Sequence, residues 1–378
     1  MKPGDVDIGH RGNNFDFLRI CAAYLVLASH SWPIFGREPE FVSALLGYES
    51  GGGLAVSVFF FVSGYLMYAS LLRQNGLLRF AASRGLRILP GLAVTVLFAV
   101  FIVGPLFTTL PLKDYFARSE TWKYLRNVLL FPIRFNLPGV FETHPARGSV
   151  NGSLWTLPIE VACYILLFIL FRLRLLTGDR AIAVAAAFAC ASLAGVTVLH
   201  WSWTNRGPDI LPGVPSFNFI GYGVYFFSGS AFRACRDKIA LRGDLALCAL
   251  LLFAASAHSA AGPFVESLAL PYLIYYVAFV RLPLWRLTMA TGDISYGVYI
   301  FAYPVQQSVY SVASPKLGFY PTMALSFAIA TVLGVLSWRF IEKPALALKT
   351  LLDDVIAKRA RLLSEPGRRQ TAILQQDA

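Results

Sequence analysis

Apolar stretches of about 20 residues recur along almost the whole of this 378-residue chain. That is the length an α-helix needs to cross a hydrocarbon core roughly 30 Å thick. Because lipid offers no hydrogen-bond partners, each stretch must bond its own backbone as a helix rather than lie in the bilayer as a loop or open strand. The sequence therefore predicts an all-α integral membrane protein.

The composition argues against a water-soluble fold and against a nucleic-acid partner. Apolar residues make up 56% of the chain and charged residues 14%, whereas soluble domains contain about 25% charged residues. The formal net charge of +12 would suit a polyanion, but the Lys and Arg residues lie in the gaps between apolar stretches rather than on one soluble face. The expected surroundings are a lipid bilayer.

The hydropathy of the sequence, with Gly, Pro and charged residues marking the ends of the apolar segments, predicts about ten transmembrane helices and a charged C-terminal tail. The helices are expected near residues 15–35, 52–72, 88–108, 152–171, 181–200, 216–233, 244–261, 266–281, 289–311 and 318–340. Basic residues are concentrated in alternate gaps, and they favour the cytoplasmic side of short loops. This alternation predicts that both termini are cytoplasmic, with a transmembrane domain over residues 1–345 and a cytoplasmic tail over residues 346–378.

Three ionisable residues lie in the first predicted helix: Asp16, Arg19 and His30. Arg19 and His30 are eleven residues apart, which places them within about 20° of the same helix face and about 16 Å apart along the axis. Such residues are costly in lipid and are functional candidates by default. Asp16 and Arg19 are also compatible with a simple pair that anchors the end of the helix.

The fourth predicted helix contains a carboxylate, Glu160, two residues after Pro158. The predicted topology places Glu160 about 12 Å below the outer surface, at a depth that His30 also reaches. A shared cavity would let the carboxylate fix the tautomer of the imidazole while the free ring nitrogen takes a proton from a hydroxyl. We therefore predict His30 and Glu160 as a catalytic pair.

The order of the motifs resembles that of the acyltransferase 3 superfamily, the multi-pass enzymes that acylate O-antigens, exopolysaccharides, peptidoglycan and related acceptors. The matching segments are residues 15–19 (FDFLR) with His30, 59–66 (FFFVSGYL), 84–90 (RGLRILP), 154–160 (LWTLPIE) with Tyr164, 295–299 (SYGVY) and 338–344 (WRFIEKP). Together they cover about residues 13–345. Each motif alone is weak, whereas their order across ten predicted helices is specific.

The resemblance implies an O-acyltransferase of the bacterial cytoplasmic membrane. Its expected reaction moves an acyl group, most commonly acetyl, from cytoplasmic acyl-CoA to a hydroxyl of a cell-surface glycan or lipid-linked glycan. Acyl-CoA is then a co-substrate, and no cofactor or metal is expected. The family motifs also imply that the donor or substrate is bound by Asp16, Arg19, Ser63, Arg84, Arg87 and Tyr164.

The sequence departs from the family pattern at two places. Many relatives have a second acidic residue directly after the glutamate, where this chain has Val161, so Glu160 is expected to act alone. Many also have a histidine shortly before the proline of the ninth helix, where this chain has Phe301, Ala302 and Tyr303 before Pro304. His30 is therefore the histidine candidate.

Two alternatives stay open at the level of sequence. Buried acidic and basic residues also occur in proton-coupled transporters and flippases, although we find no internal repeat or paired broken helices of the kind many transporters have. The Ser63-Gly64 pair fits either a close contact between helices, which is the commoner use of small residues, or an acyl-serine. Acyl transfer can accordingly be direct or pass through a covalent acyl-enzyme.

Overall fold

The computed structural model of the protein describes residues 13–73, 76–288 and 291–348, and the structure is mostly helical. The predicted tail lies almost entirely outside these residues. The long and short α-helices are α1 (Phe15–Ile34), α2 (Phe41–Leu46), α3 (Gly51–Arg73), α4 (Leu77–Phe98), α5 (Gly104–Phe107), α6 (Leu112–Ala117), α7 (Ser119–Tyr124), α8 (Thr156–Arg172), α9 (Asp179–Thr197), α10 (Ser216–Ala234), α11 (Gly243–Ala255), α12 (Gly262–Phe279), α13 (Ser295–Leu317) and α14 (Phe319–Ser337).

Shorter helical turns and one hairpin complete the described structure. The 3₁₀ turns are Leu125–Leu129, Gly152–Trp155 and Leu284–Thr288, and wide π-helical turns at Ala99–Val103 and Trp338–Glu342 continue α4 and α14. Strands β1 (Asp209–Leu211) and β2 (Val214–Pro215) pair antiparallel, with Asp209 opposite Pro215. The hairpin is the only sheet in the described ranges.

Seven helical segments of the described chain are long and apolar enough to cross a membrane: Phe15–Ile34, Gly51–Arg73, Leu77–Phe107, Gly152–Arg172, Asp179–Thr197, Gly262–Phe279 and Phe319–Leu348. Helices α10, α11 and α13 lie at the other three predicted positions. Helix α11 has 13 residues, which is about 20 Å of helix and shorter than a typical hydrocarbon core. The prediction of a helical multi-pass membrane protein is confirmed at this level.

The third predicted helix begins much earlier than expected. We predicted residues 88–108, whereas the helical segment runs from Leu77 to Phe107. Arg84 and Arg87, which we had placed in the preceding loop, therefore lie inside α4. Arginine is a good helix former, and Arg87 can enter the helix bundle because carboxylates from other segments of the chain, Asp293 and Glu342, pair with it.

Small residues allow the central helices to pack closely, as is common between membrane helices. A Cβ atom on Gly64 of α3 would lie 1.8 Å from the carbonyl oxygen of Phe226 on α10. On the opposite side of the same contact, a Cβ on Gly229 would lie 2.1 Å from the carbonyl oxygen of Phe61. These contacts hold α10 against α3, and α3 also packs against α1 and α8.

The start of α8 is set by local sequence. The side chain of Asn151 accepts a hydrogen bond from the Ser153 amide at 3.2 Å and caps the 3₁₀ turn before the helix. Pro158 lies in the first turn of α8, where its missing N–H would have no helical partner. Glu160 consequently lies near the beginning of α8.

Candidate functional site

Two neighbouring cavities lie between the central helices. The first, which we name the arginine cavity, has a volume of about 120 Å³ and is lined by Arg19, Val56, Phe59, Phe60, Val62, Ser63, Leu66, Met67, Arg84, Arg87, Ile88, Thr156, Leu157, Glu160, Tyr164, Tyr296 and Tyr299. The second, the histidine cavity, has a volume of about 380 Å³. Val56 and Tyr299 line both cavities and thus mark the boundary between them.

The arginine cavity brings together most of the predicted site residues. Arg19 from α1, Ser63 from α3, Arg84 and Arg87 from α4, and Glu160 and Tyr164 from α8 all line it. Asp16 lies one turn before Arg19 in α1 and is not among the lining residues. Four helices therefore bring guanidinium groups, a carboxylate and hydroxyl groups into one cavity.

Glu160, Ser63 and Tyr164 form a hydrogen-bonded triangle in this cavity. The Ser63 hydroxyl donates to Glu160 Oε1 at 3.1 Å and lies 2.9 Å from the Tyr164 hydroxyl. Tyr164 donates a short hydrogen bond to the same carboxylate oxygen. The Glu160 carboxylate is therefore paired with two hydroxyl groups, one from its own helix and one from α3.

An ion-pair network that the sequence analysis did not identify fixes two of the arginines. Asp293 Oδ2 lies 2.5 Å from Arg19 Nη1 and 2.6 Å from Arg87 Nη2. Glu342 Oε2 lies 3.5 Å from Arg87 Nη1, and both carboxylates also accept hydroxyl hydrogen bonds, Asp293 from Ser295 and Glu342 from Ser337. Asp293 falls inside the predicted ninth helix, so the criterion that selected Glu160 would also have selected it.

Arg84 is bound differently from Arg87. Its Nε donates to the Ser83 hydroxyl at 3.3 Å. No carboxylate in the described part of the chain forms an ion pair with it, although it lines the same cavity. The two arginines of the motif therefore differ: Arg87 is neutralised by two carboxylates, and Arg84 is available to an anion.

The histidine cavity contains His30 and a set of aromatic and acidic residues. Its lining comprises Val26, Ser29, His30, Pro33, Glu38, Pro39, Glu40, Ser43, Ser50, Gly52, Gly53, Val56, Trp155, Trp203, Tyr222 and Tyr299. The His30 ring packs edge-on against Tyr303 at 5.3 Å between centroids. Trp155 contacts both Trp203 and Tyr222, so three aromatic rings are adjacent along one side of the cavity.

Two lining residues of the histidine cavity have a buried polar atom without a hydrogen-bond partner among the described residues: His30 at Nδ1 and Glu40 at Oε1. The other oxygen of Glu40 caps α2, accepting from the amides of Val42 at 3.0 Å and Ser43 at 2.8 Å. Buried polar atoms are normally paired. Both atoms are therefore suited to bind a polar ligand.

The structure separates His30 from Glu160, contrary to the expectation that they share a cavity. Helix α3 packs against both α1 and α8, and each of the two residues lines only one cavity. The sequence predicts similar depths in the membrane for the two residues, but depth does not determine which helices are neighbours. Glu160 consequently does not fix the imidazole tautomer in this structure.

A further acidic group lies beside the histidine cavity, in the segment between α2 and α3. Glu49 Oε1 accepts a hydrogen bond from the Ser50 amide at 2.7 Å, and a Cβ on the lining residue Gly53 would lie 2.0 Å from this oxygen. Burial raises the pKa of the Glu49 carboxyl to about 7, and the negative charge of Glu40 adds to the increase. Glu49 is thus expected to titrate close to neutral pH.

Other ionisable groups have structural partners. His144 lies 2.8 Å from Gln307 Oε1 through Nδ1 and 2.9 Å from the Ser311 hydroxyl through Nε2, which fastens its loop to α13. Glu266, buried in α12, accepts a hydrogen bond from Tyr225 at 2.7 Å. In the described ranges no three His, Cys, Asp or Glu side chains are grouped in a way that would hold a metal ion.

Comparison with known proteins identifies a family and several relatives. The model of an acyltransferase domain family matches residues 13–339. An O-acetyl transferase of Shigella phage Sf6 is 31% identical over 340 residues, which cover 88% of this chain and 96% of the relative. Nodulation protein 10 of Rhizobium leguminosarum bv. viciae is 27% identical, with 91% of this chain and 95% of the relative covered.

A third relative is longer than this chain. A peptidoglycan O-acetyltransferase of Listeria monocytogenes is 24% identical over 375 residues, which cover 88% of this chain and 55% of that protein. No solved structure matches at a significant level.

Proposed function

The chain belongs to the acyltransferase 3 family and is a membrane O-acyltransferase, and from this premise we propose that it transfers an acetyl group from cytoplasmic acyl-CoA to a hydroxyl of a cell-surface glycan. Exopolysaccharide and O-antigen, free or lipid-linked, are the acceptors we favour. The acetyl group is proposed because two relatives are named as an O-acetyl transferase and a peptidoglycan O-acetyltransferase. An enzyme accounts for the buried charges better than a transporter or flippase does.

The observation that carries this proposal is the pair of adjoining cavities with different chemistry. The arginine cavity offers the Arg84 guanidinium, a strong donor to phosphate groups, beside the hydroxyl and carboxylate of Ser63 and Glu160. The histidine cavity offers unpartnered polar atoms and a row of aromatic rings. The first suits acyl-CoA and the second suits the hydroxyls and the apolar faces of a sugar.

The topology we propose assigns each cavity to a side of the membrane. Ten helices with both termini in the cytoplasm, in a transmembrane domain over residues 1–345, place the start of α4 on the cytoplasmic side and the α2 segment on the outer side. Arg84 is then about 10 Å along α4 from its cytoplasmic end at Leu77. Acyl-CoA is made in the cytoplasm, so this orientation brings the donor to the arginine cavity of a bacterial inner-membrane protein, with residues 346–378 as its cytoplasmic tail.

His30 is the proposed general base for the acceptor. It lines the cavity that we assign to the glycan, and a neutral imidazole can take the proton of a sugar hydroxyl as that oxygen attacks the acyl carbon. Glu160 is assigned to the donor side, where it orients the hydroxyls of Ser63 and Tyr164. Arg19 and Asp16 are assigned to holding the cytoplasmic end of α1 rather than to direct contact with the donor.

The test uses the purified full chain in lipid nanodiscs, with acetyl-CoA and an oligosaccharide of the host surface glycan, and measures base-labile ester. Trp203→Ala should raise the Michaelis constant of the acceptor by about tenfold with little change for acetyl-CoA, because Trp203 lines only the cavity that we assign to the acceptor. Trp122→Ala is the matched control, since Trp122 is similarly exposed but lies outside both cavities. An unchanged acceptor constant in Trp203→Ala would remove the acceptor from the histidine cavity, and an absence of ester with every glycan offered would contradict the proposed reaction.

A further inference from the structure

The Ser63 hydroxyl lies where a nucleophile for the acyl donor would be needed. It faces the arginine cavity together with Arg84, and it donates a hydrogen bond to Glu160 Oε1 at 3.1 Å. Ser63 is the thirteenth residue of α3, about 18 Å along the axis from Gly51. The hydroxyl therefore lies near the middle of the helix, in a polar cavity where the Glu160 carboxylate can accept its proton.

Packing does not explain this serine. The close contact between α3 and α10 is made by the next residue, Gly64, whose Cβ would overlap the carbonyl oxygen of Phe226. Ser63 points away from that contact and is only partly buried. The structure thus separates the two uses that the sequence left open for the Ser63-Gly64 pair: the glycine serves the helix contact and the serine serves the cavity.

A hydroxyl hydrogen-bonded to a base is the usual arrangement of an activated nucleophile. Within the proposed function, on which this inference rests, we infer that Ser63 is acylated by acyl-CoA and passes the acyl group to the acceptor from a serine ester. The Arg84 guanidinium, which lines the same cavity, is the donor available to the developing negative charge on the thioester oxygen.

Two balanced steps make up the transfer. In the first, Ser63 Oγ attacks the thioester carbon, the O–C bond forms, the C–S bond breaks, and the serine proton passes through Glu160 to the departing thiolate. In the second, an acceptor hydroxyl attacks the ester carbon, the bond to Oγ breaks, and the proton of the acceptor ends on Oγ. The products are free CoA and the acylated acceptor, and the enzyme returns to its starting state.

A serine ester predicts chemistry in the absence of any acceptor. The wild-type chain in nanodiscs should exchange label between acetyl-CoA and free radiolabelled CoA, because the first step is reversible. After denaturation of a reaction without acceptor, peptide mass spectrometry should find one acetyl group on Ser63. With acceptor present, reciprocal plots at several acceptor concentrations should give the parallel lines of ping-pong kinetics.

Variants decide between a nucleophile and a structural hydroxyl. Ser63→Ala should abolish the exchange and lower transfer by roughly a thousandfold or more, whereas Ser70→Ala, a buried serine two turns later on α3 and outside the cavity, should keep both. Ser63→Cys retains a nucleophile and should form a thioester that neutral hydroxylamine releases. This second variant keeps the test decisive if Ser63→Ala fails to fold.

The outcomes distinguish this inference from the proposed function. Transfer to the glycan without exchange, with intersecting kinetic lines and no acetyl on Ser63, would overturn the serine ester and leave the proposed function in place. Ser63→Ala with transfer within about threefold of the wild type would overturn it as well. Exchange with acetyl-Ser63, but no ester on any glycan, would support the serine ester and contradict the proposed acceptor.

Discussion

Arg84 and Arg87 occupy the same motif, and their different partners predict that alanine affects stability at one and donor binding at the other. Arg87 contacts two carboxylates, Asp293 at 2.6 Å and Glu342 at 3.5 Å. The Glu342 side chain is 1% exposed. Removing the guanidinium leaves this carboxylate buried without a cation in the described structure, a change that costs about 3–5 kcal/mol in proteins.

Arg84→Ala removes a buried cation that forms no ion pair in the described chain, so its cost in stability should be about 1 kcal/mol or less. If Arg84 binds a phosphate of acyl-CoA, the lost charge-assisted hydrogen bond is worth about 1.5–3 kcal/mol. That corresponds to a rise of about 10- to 100-fold in the Michaelis constant of acyl-CoA, with turnover at saturation nearly unchanged.

The assay pairs thermal unfolding of the detergent-solubilised variants with steady-state kinetics in nanodiscs. Arg87→Ala should unfold well below Arg84→Ala, and Arg87→Ala combined with Glu342→Gln should regain part of the loss, because the neutral amide no longer needs a cation. Equal destabilisation by the two single variants, or no recovery in the double variant, would refute the assignment of Arg87 as the residue that balances the carboxylates.

Three further predictions concern other parts of the chain. His30→Ala should lower acyl transfer to the glycan by roughly two to four orders of magnitude and leave acyl-CoA binding near normal; substantial turnover at saturating substrates would exclude His30 as the base. Gly64→Ala should destabilise the fold by about 3 kcal/mol or more, because a Cβ would lie 1.8 Å from the Phe226 carbonyl oxygen. Gly221→Ala is its control, since nothing lies within 4 Å of that Cβ, and equal thermal stability of both variants would contradict the contact. Finally, the raised pKa of Glu49, about 7, means that its neutral form is favoured on folding, so stability should be full below about pH 4.5 and fall as the pH rises through 7; Glu49→Gln should remove this decline, and an unchanged pH profile would contradict it.

Hydropathy and charge determined the class of the protein because they indicate directly whether a segment lies in lipid or in water. A stretch of 20 apolar residues has few alternatives to a helix in lipid. Each of the ten predicted segments overlaps a helix of the described structure, although the third helix begins earlier than predicted. The motif order likewise identified the family, which the match over residues 13–339 confirms. These inferences needed only the local composition and the order of segments along the chain.

The sequence failed where the answer depends on which side chains share a cavity. It selected Arg19 and Glu160 as costly residues, and the same criterion applied to Asp293 would have added the carboxylate that pairs with Arg19 and Arg87. No rule of periodicity indicates that residues 200 or more positions apart will meet, because that requires the neighbours and rotation of each helix.

The separation of His30 from Glu160 is a second case in which the sequence did not indicate which side chains share a cavity. Counting residues from a helix end gives depth along the membrane normal, since each residue adds about 1.5 Å. It gives no lateral position, and α3 packs between the two helices, with Val56 on the boundary between the cavities. The sequence alone thus determined that this is a helical membrane acyltransferase with ionisable groups in its apolar segments, and only helix packing, fixed by contacts such as Gly64 with Phe226, decided which of those groups can act together.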